Sequence, residues 1–217
     1  MQKMSVAIVG LILSVPVGAA AHPHVFIDAT IEVIFDAEGR AEALRIGWRY
    51  DSLFSMTYVA EQGFDPDFDG VLTAEEQAAL AGFDMDWQAD FAGDTYALLG
   101  EVSLGLSAPM EPTAAYLDGS LISTHLRRLS VPVTPVTEDL VVQVYDPSFY
   151  TSYLIAATPV LTGGEGCRVQ VYEPDREAAD ARLQAALDEV AGGGDAETEF
   201  PAIGSAYAEE ARISCTR

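Results

Sequence analysis

Apolar and polar residues alternate from the start of the ordered pattern at residue 24. Val25, Ile27, Ala29, Ile31, Val33 and Phe35 fall on one side, with His24, Phe26, Asp28, Thr30 and Glu32 on the other. This period of two predicts a strand with one buried face. Asp36-Ala37-Glu38-Gly39 reads as a turn, and Ala43 to Tyr50 as the returning strand of a hairpin. Asp51 is placed to cap a helix running through Tyr58 to Glu61. Residues 65–92 are acidic and predicted mostly helical. Thr73 opens a short helix with Glu76 completing a capping box, and Phe83, Trp87 and Phe91, four apart, predict a second helix with its aromatic side toward the core. Strand signals then dominate, over Tyr96 to Leu106, Ala114 to Leu117, Leu121 to Leu129, Leu140 to Tyr145, Tyr153 to Val160 and Cys167 to Tyr172. Pro174-Asp175 begins an amphipathic helix with the stripe Ala179, Leu183, Ala186, Leu187 and Val190, ended by Gly192-Gly193-Gly194. Ala211 to Cys215 is a last strand. The expected fold class is α+β, a β-rich single domain of sandwich-like antiparallel sheets with an acidic helical insertion.

The segment before this pattern has another character. Lys3 gives a small positive region, Val6 to Leu13 an apolar run, and Pro16 and Gly18 a break before Ala19-Ala20-Ala21. These features predict a signal peptide over residues 1–21, cleaved ahead of His22, with a cut after Ala20 as the rival. An uncleaved anchor is disfavoured because a bilayer span needs roughly 20 apolar residues. The domain proper is then residues 22–217, expected in the periplasm with no stable membrane insertion after cleavage.

Charge narrows the partners. Asp and Glu number 34 against 11 Lys and Arg, for a net charge of −23, and Lys3 is the one lysine. Such a field repels nucleic acid and anionic lipid and gathers cations near the surface. Cys167 and Cys215 are the two cysteines. In an oxidising compartment such a pair most simply forms one disulfide, and the rival metal or redox pair lacks a CxxC arrangement.

The sharpest chemistry lies in Asp65-Pro66-Asp67-Phe68-Asp69-Gly70-Val71-Leu72-Thr73-Ala74-Glu75-Glu76. A calcium loop of the EF-hand type places oxygen ligands at positions 1, 3, 5, 7, 9 and 12 and a glycine at 6. Asp65, Asp67, Asp69, the Val71 carbonyl, Thr73 and Glu76 fill those positions, with Gly70 at the turn. Hard oxygen donors suit Ca²⁺ over softer metals. An acidic turn ahead of a capping box would explain Thr73 and Glu76, but not the spacing of the three Asp with Gly70. Phe68 and Gln77 depart from the usual pattern.

Two of the three histidines, His22 and His24, stand beside the predicted cut. A new amine at His22 can chelate a metal with its own imidazole, joined by His24 or His125. Asp28, on the same strand face as His24, can add an oxygen. Pro23 has no amide proton to lose, which excludes the square-planar amino-terminal site. Imidazole donors suit Ni, Co, Zn or Cu. The competing reading is that terminal histidines are simply solvated.

His22-Pro23-His24-Val25-Phe26-Ile27-Asp28, Trp48 with Tyr50-Asp51, Phe83 with Met85 and Trp87, and Thr124-His125 with Arg127 form an ordered set. Val144-Tyr145-Asp146-Pro147 with Tyr150, Pro174-Asp175, Phe200-Pro201 with Gly204, and the two cysteines extend it. Together with the acidic loop, the set resembles the domain-of-unknown-function family numbered 1007 along the whole mature chain. That resemblance implies an exported bacterial protein, the periplasmic component of an uncharacterised ABC-type transport system, commonly encoded near nickel/cobalt-type permeases. It brings no catalytic residues. The expected function is a periplasmic metal-binding accessory protein, with an inner-membrane metal permease as partner and a structural calcium site. The alternatives are a calcium-stabilised interaction protein without a transition-metal role, and a copper enzyme using the N-terminal chelate. No Ser/His/Asp, Cys/His or zinc-hydrolase motif is present, so the chain is expected not to be an enzyme.

Overall fold

The computed structural model describes residues 23–67, 69–88, 91–190 and 201–216. Strand β1 (Val25–Phe35) carries the alternating pattern with its odd-numbered residues buried. It pairs antiparallel with β2 (Ala41–Tyr50) across the Asp36–Gly39 turn. Helix α1 (Ser52–Glu61) follows, and the Asp51 carboxylate accepts from the Phe54 N–H, the cap expected of it. Helix α2 (Ala74–Ala79) is a single capped stretch. The strands β3 (Thr95–Leu99), β4 (Val102–Leu104), β5 (Met110–Leu117), β6 (Ser120–Val133), β7 (Leu140–Val144), β8 (Thr151–Ile155), β9 (Val160–Thr162) and β10 (Cys167–Tyr172) come next. Helix α3 (Arg176–Val190), a 3₁₀ turn (Gly204–Tyr207) and β11 (Glu210–Cys215) complete the described elements.

The strands form two sheets. One runs β5-β6-β2-β1-β8, with β9 also paired to β1, and the other runs β10-β11-β7-β3-β4. β1 is antiparallel to β2 but parallel to β8 and β9, so the first sheet is mixed where an antiparallel one was expected. The inward residues merge into one core. Ala29, Val33, Leu44 and Ile46 of the first sheet pack in the same cluster as Leu140, Val142, Ala211 and Ile213 of the second. The sandwich-like, β-rich character therefore holds. Among the described residues no helix is long and apolar enough to cross a membrane.

Three expectations are corrected. Residues 65–92 are not mostly helical: α2 spans six residues, and the chain through Phe83 and Trp87 is turns and irregular structure. Gly82, at φ +75, leaves helical geometry just ahead of Phe83. The strand expected over 96–106 is a hairpin, β3 and β4, reversed at Gly100 with φ +59. The strand expected over 153–160 is divided into β8 and β9 around Pro159, which cannot donate to a ladder. The stripe of α3 agrees better. Ala179 is buried and Leu183, Ala186 and Leu187 are half-buried beneath exposed neighbours.

Cys167 and Cys215 sit opposite each other where β10 pairs with β11, and they are disulfide-bonded across 48 positions of sequence. The bond fastens the last strand to the sheet. For a loop of that length the chain-entropy account gives about 4 kcal/mol of stabilisation. The double variant Cys167→Ser/Cys215→Ser is expected to lose about 2–4 kcal/mol in denaturant unfolding, with the far-UV spectrum unchanged.

Candidate metal centre

The acidic loop is shaped by its own backbone. After α1 the chain reverses at Gly63 and reaches Asp65, which takes φ +55 and is 9% exposed. The Asp65 carboxylate accepts the N–H groups of Asp69 and Gly70, each at 3.0 Å, and the Asp69 carboxylate accepts the Val71 N–H at 2.8 Å. Gly70 turns at φ +78. These bonds gather Asp65, Asp67 and Asp69 so that one carboxylate oxygen of each lies within 4.8 Å of the others. At such a spacing each pair of charges repels by roughly 1 kcal/mol even in water, and a divalent cation relieves all three repulsions together.

Thr73 and Glu76 complete the loop in a different way. The Glu76 carboxylate accepts from the Thr73 N–H and hydroxyl, each at 2.8 Å, and the Glu76 N–H donates back to the hydroxyl at 3.3 Å. The Thr73 N–H is the main cause holding the Glu76 carboxyl below its ordinary range, and the Asp65 N–H adds to it. Glu76 is not among the carboxylates gathered with Asp65, Asp67 and Asp69; its hydrogen bonds make it half of the capping box that opens α2. Val71 is exposed at the middle of the loop. Phe68 lies outside the described residues.

The two described histidines are not brought together. His22 lies outside the described residues. His24 is exposed, its N–H donates to the Tyr150 carbonyl at 2.8 Å, and its ring lies 4.8 Å from that of Tyr150. Asp28 shares its outward face but is four residues on, about 13 Å along a strand. His125 on β6 pairs with Ile46, which pairs with Ile31. It is therefore about 23 Å from His24 along the strands, on the inward face and two strands across. Metal–nitrogen bonds of about 2 Å cannot span this. His24, Asp28 and His125 do not form one coordination shell, because strand register separates two of them and strand rise the third.

His125 instead sits fully buried between two indoles, with ring centroids 4.8 Å from Trp48 and 5.2 Å from Trp87, both edge-on. Its two ring nitrogens, Trp48 Nε1 and Asp84 Oδ1 are buried without hydrogen-bond partners among the described residues. The other Asp84 oxygen accepts the Tyr50 hydroxyl at 2.7 Å and the Ser123 hydroxyl, and the Trp87 indole donates to the Asp84 carbonyl at 2.7 Å. Nearby, the Tyr153 hydroxyl donates to Asp94 at 2.8 Å, and burial pushes the Asp94 carboxyl up to about 7. Tyr50, Asp84, Ser123, Asp94 and Arg127 were not singled out from sequence as members of a buried polar group. A signal existed on β6: Leu121, Ser123, His125, Arg127 and Leu129 alternate, and the apolar ends mark the whole row as inward-facing.

The sequence matches the family described as Protein of unknown function (DUF1007) over residues 7–215. The chain belongs to this family. No curated protein matches it. Membership extends over the acidic loop, the β6 row and the paired cysteines alike, so all three lie within the matched span.

The His125 environment has a pH consequence. Burial first, then the charge of Arg127, pushes its imidazole down to about 4. The folded ring is neutral where the unfolded chain binds a proton below about pH 6.5. Its contribution to stability is full above that value and is lost as pH falls toward 4. Asp94 runs oppositely: its contribution is present at low pH and is lost as pH rises from the ordinary carboxylate range toward 7. Nitrogen-15 spectra of the imidazole are expected to show a neutral His125 throughout pH 8 to about 5. Titration of that ring near 6.5 in the folded protein would contradict its burial.

Proposed function

We propose that this DUF1007 protein is an exported, periplasmic metal-binding accessory protein of a transition-metal transport system, with Ca²⁺ held in the loop 65–76. The gathering of the Asp65, Asp67 and Asp69 carboxylates within 4.8 Å carries the calcium part. Their spacing relative to Gly70 and Glu76 supports it independently. In this reading Asp65, Asp67, Asp69, the Val71 carbonyl, Thr73 and Glu76 supply the oxygens, and Glu76 shares its carboxylate between the cation and the cap of α2. The ion offsets part of the loop's negative charge and fixes the segment between α1 and α2, a structural role and not a switch.

The transition-metal part rests on His22 and His24 at the N-terminus left by signal cleavage. His125 and Asp28 have no place in that shell. Export is supported by the sequence of residues 1–21 and by the disulfide, which fits an oxidising compartment. The permease partner follows from the family resemblance, and this reading assigns the protein no catalytic step.

The test is thermal unfolding of the exported protein in a chelator, in Ca²⁺ and in Ni²⁺. Calcium at a hundredfold its Kd is expected to stabilise the fold by about 2.7 kcal/mol, and Asp67→Asn/Asp69→Asn to abolish this. Nickel binding is expected to be lost in His22→Ala/His24→Ala. A calcium response with no nickel response would favour the calcium-stabilised interaction protein, and the absence of both would overturn the metal-binding reading.

A further inference from the structure

Arg127 is the one buried arginine among the described residues. Arg40, Arg45, Arg128 and Arg212 each meet a carboxylate at 3.6 Å or less. Arg127 is 5% exposed and pairs with none of the described carboxylates. Its Nε donates to the Ser107 carbonyl, its Nη1 to the Ala92 carbonyl at 3.0 Å, and its guanidinium lies 5.0 Å from the centre of the Trp87 ring. A guanidinium has five N–H groups, so three remain beyond these two bonds. Burial alone lowers its pKa to about 10, which leaves it charged at any physiological pH.

The guanidinium is held firmly. Gly93 takes φ +68 against the same stack, and a Cβ there would fall 2.4 Å from Trp87 and 2.6 Å from Arg127 Nη1. The chain can press this closely only at glycine. Arg127 also lines an open cleft of about 390 Å³, within the range of small-molecule sites. The walls include Phe91, which is 41% exposed, Leu104, Leu106 and the pair Tyr96 and Tyr145, whose rings stack at 4.1 Å.

We propose that this cleft binds a small organic carboxylate with a flat apolar body, the carboxylate on the Arg127 fork and the body against Phe91, Leu104, Leu106 and the Tyr96–Tyr145 pair. A buried cation without a counter-charge is destabilising, and the planar fork matches a carboxylate with two parallel bonds. The aromatic and aliphatic walls select an organic acid over a bare inorganic anion. This site is separate from the calcium loop and independent of any metal.

Trp48 and Trp87 are the two tryptophans of the chain, and Trp87 lies under Arg127, so the intrinsic fluorescence reports on the cleft. The exported protein is titrated with phenylacetate, phenylacetamide and acetate. Phenylacetate is expected to give a saturable change at least about tenfold tighter than either control. Arg127→Gln is expected to weaken phenylacetate at least about tenfold without affecting the amide. Tyr145→Ala, on the half-exposed wall, is expected to weaken phenylacetate in a folded protein. Absence of saturation, equal affinity for acid and amide, equal affinity for acetate, or full phenylacetate affinity in Arg127→Gln would overturn the proposal. If Arg127→Gln does not fold, the acid-to-amide ratio of the unsubstituted protein and the Tyr145→Ala titration decide it.

Discussion

The Asp84 carboxylate receives the Tyr50 hydroxyl from β2 and the Ser123 hydroxyl from β6, while the Trp87 indole donates back to the Asp84 carbonyl. Through these bonds the irregular segment between α2 and β3 is fastened to the middle of the first sheet. Burial raises the Asp84 pKa, and the two hydroxyls counter that rise. The same latch brings Trp87 over His125 and under Arg127. The burial of the histidine, the setting of the arginine and the course of the chain after the acidic loop thus share one anchor. Buried polar groups of this kind rigidify when their partners are in place, and loss of one partner leaves a desolvated group behind.

Charge is distributed around that anchor in two opposite ways. Asp65, Asp67 and Asp69 crowd their carboxylates with no basic group paired to them among the described residues, an arrangement that calls for a cation. On the inward row of β6, Arg127 keeps a positive charge away from every described carboxylate, although the chain carries 34 acidic residues. Both are local imbalances of charge, whereas Arg40, Arg45, Arg128 and Arg212 each meet a carboxylate. The two imbalances point to ligands of opposite sign at separate places.

Much of this was legible in the residues. The alternation over Val25–Phe35, the Asp51 cap, the Thr73–Glu76 box and the pairing of Cys167 with Cys215 each depend on local pattern or on parity, and each has its place in the structure. The spacing of the three loop aspartates was equally visible. What escaped was decided by distant partners. Phe83, Trp87 and Phe91 repeat at a helical interval, yet Gly82 turns at φ +75 and Asp84 bonds to Tyr50 and Ser123 far along the chain. His125 was available in composition as a third nitrogen for His24, but only strand order and register put it on the opposite face. Arg127 stood in the sequence only as part of the Thr124-His125 motif, and its burial comes from its place on the inward row of β6.

Binding of Ca²⁺ in the acidic loop is reported most directly by the Gly70 amide, whose nitrogen lies 3.0 Å from the Asp65 carboxylate. Proton–nitrogen spectra of the labelled protein, recorded as Ca²⁺ is added, test it residue by residue. A calcium site gives saturable, one-to-one shifts of the Asp69, Gly70 and Val71 amides, with the amides of β1 and β2 unmoved. Loop amides that stay in place through millimolar Ca²⁺, or shifts spread evenly over the acidic surface without saturation, would contradict it.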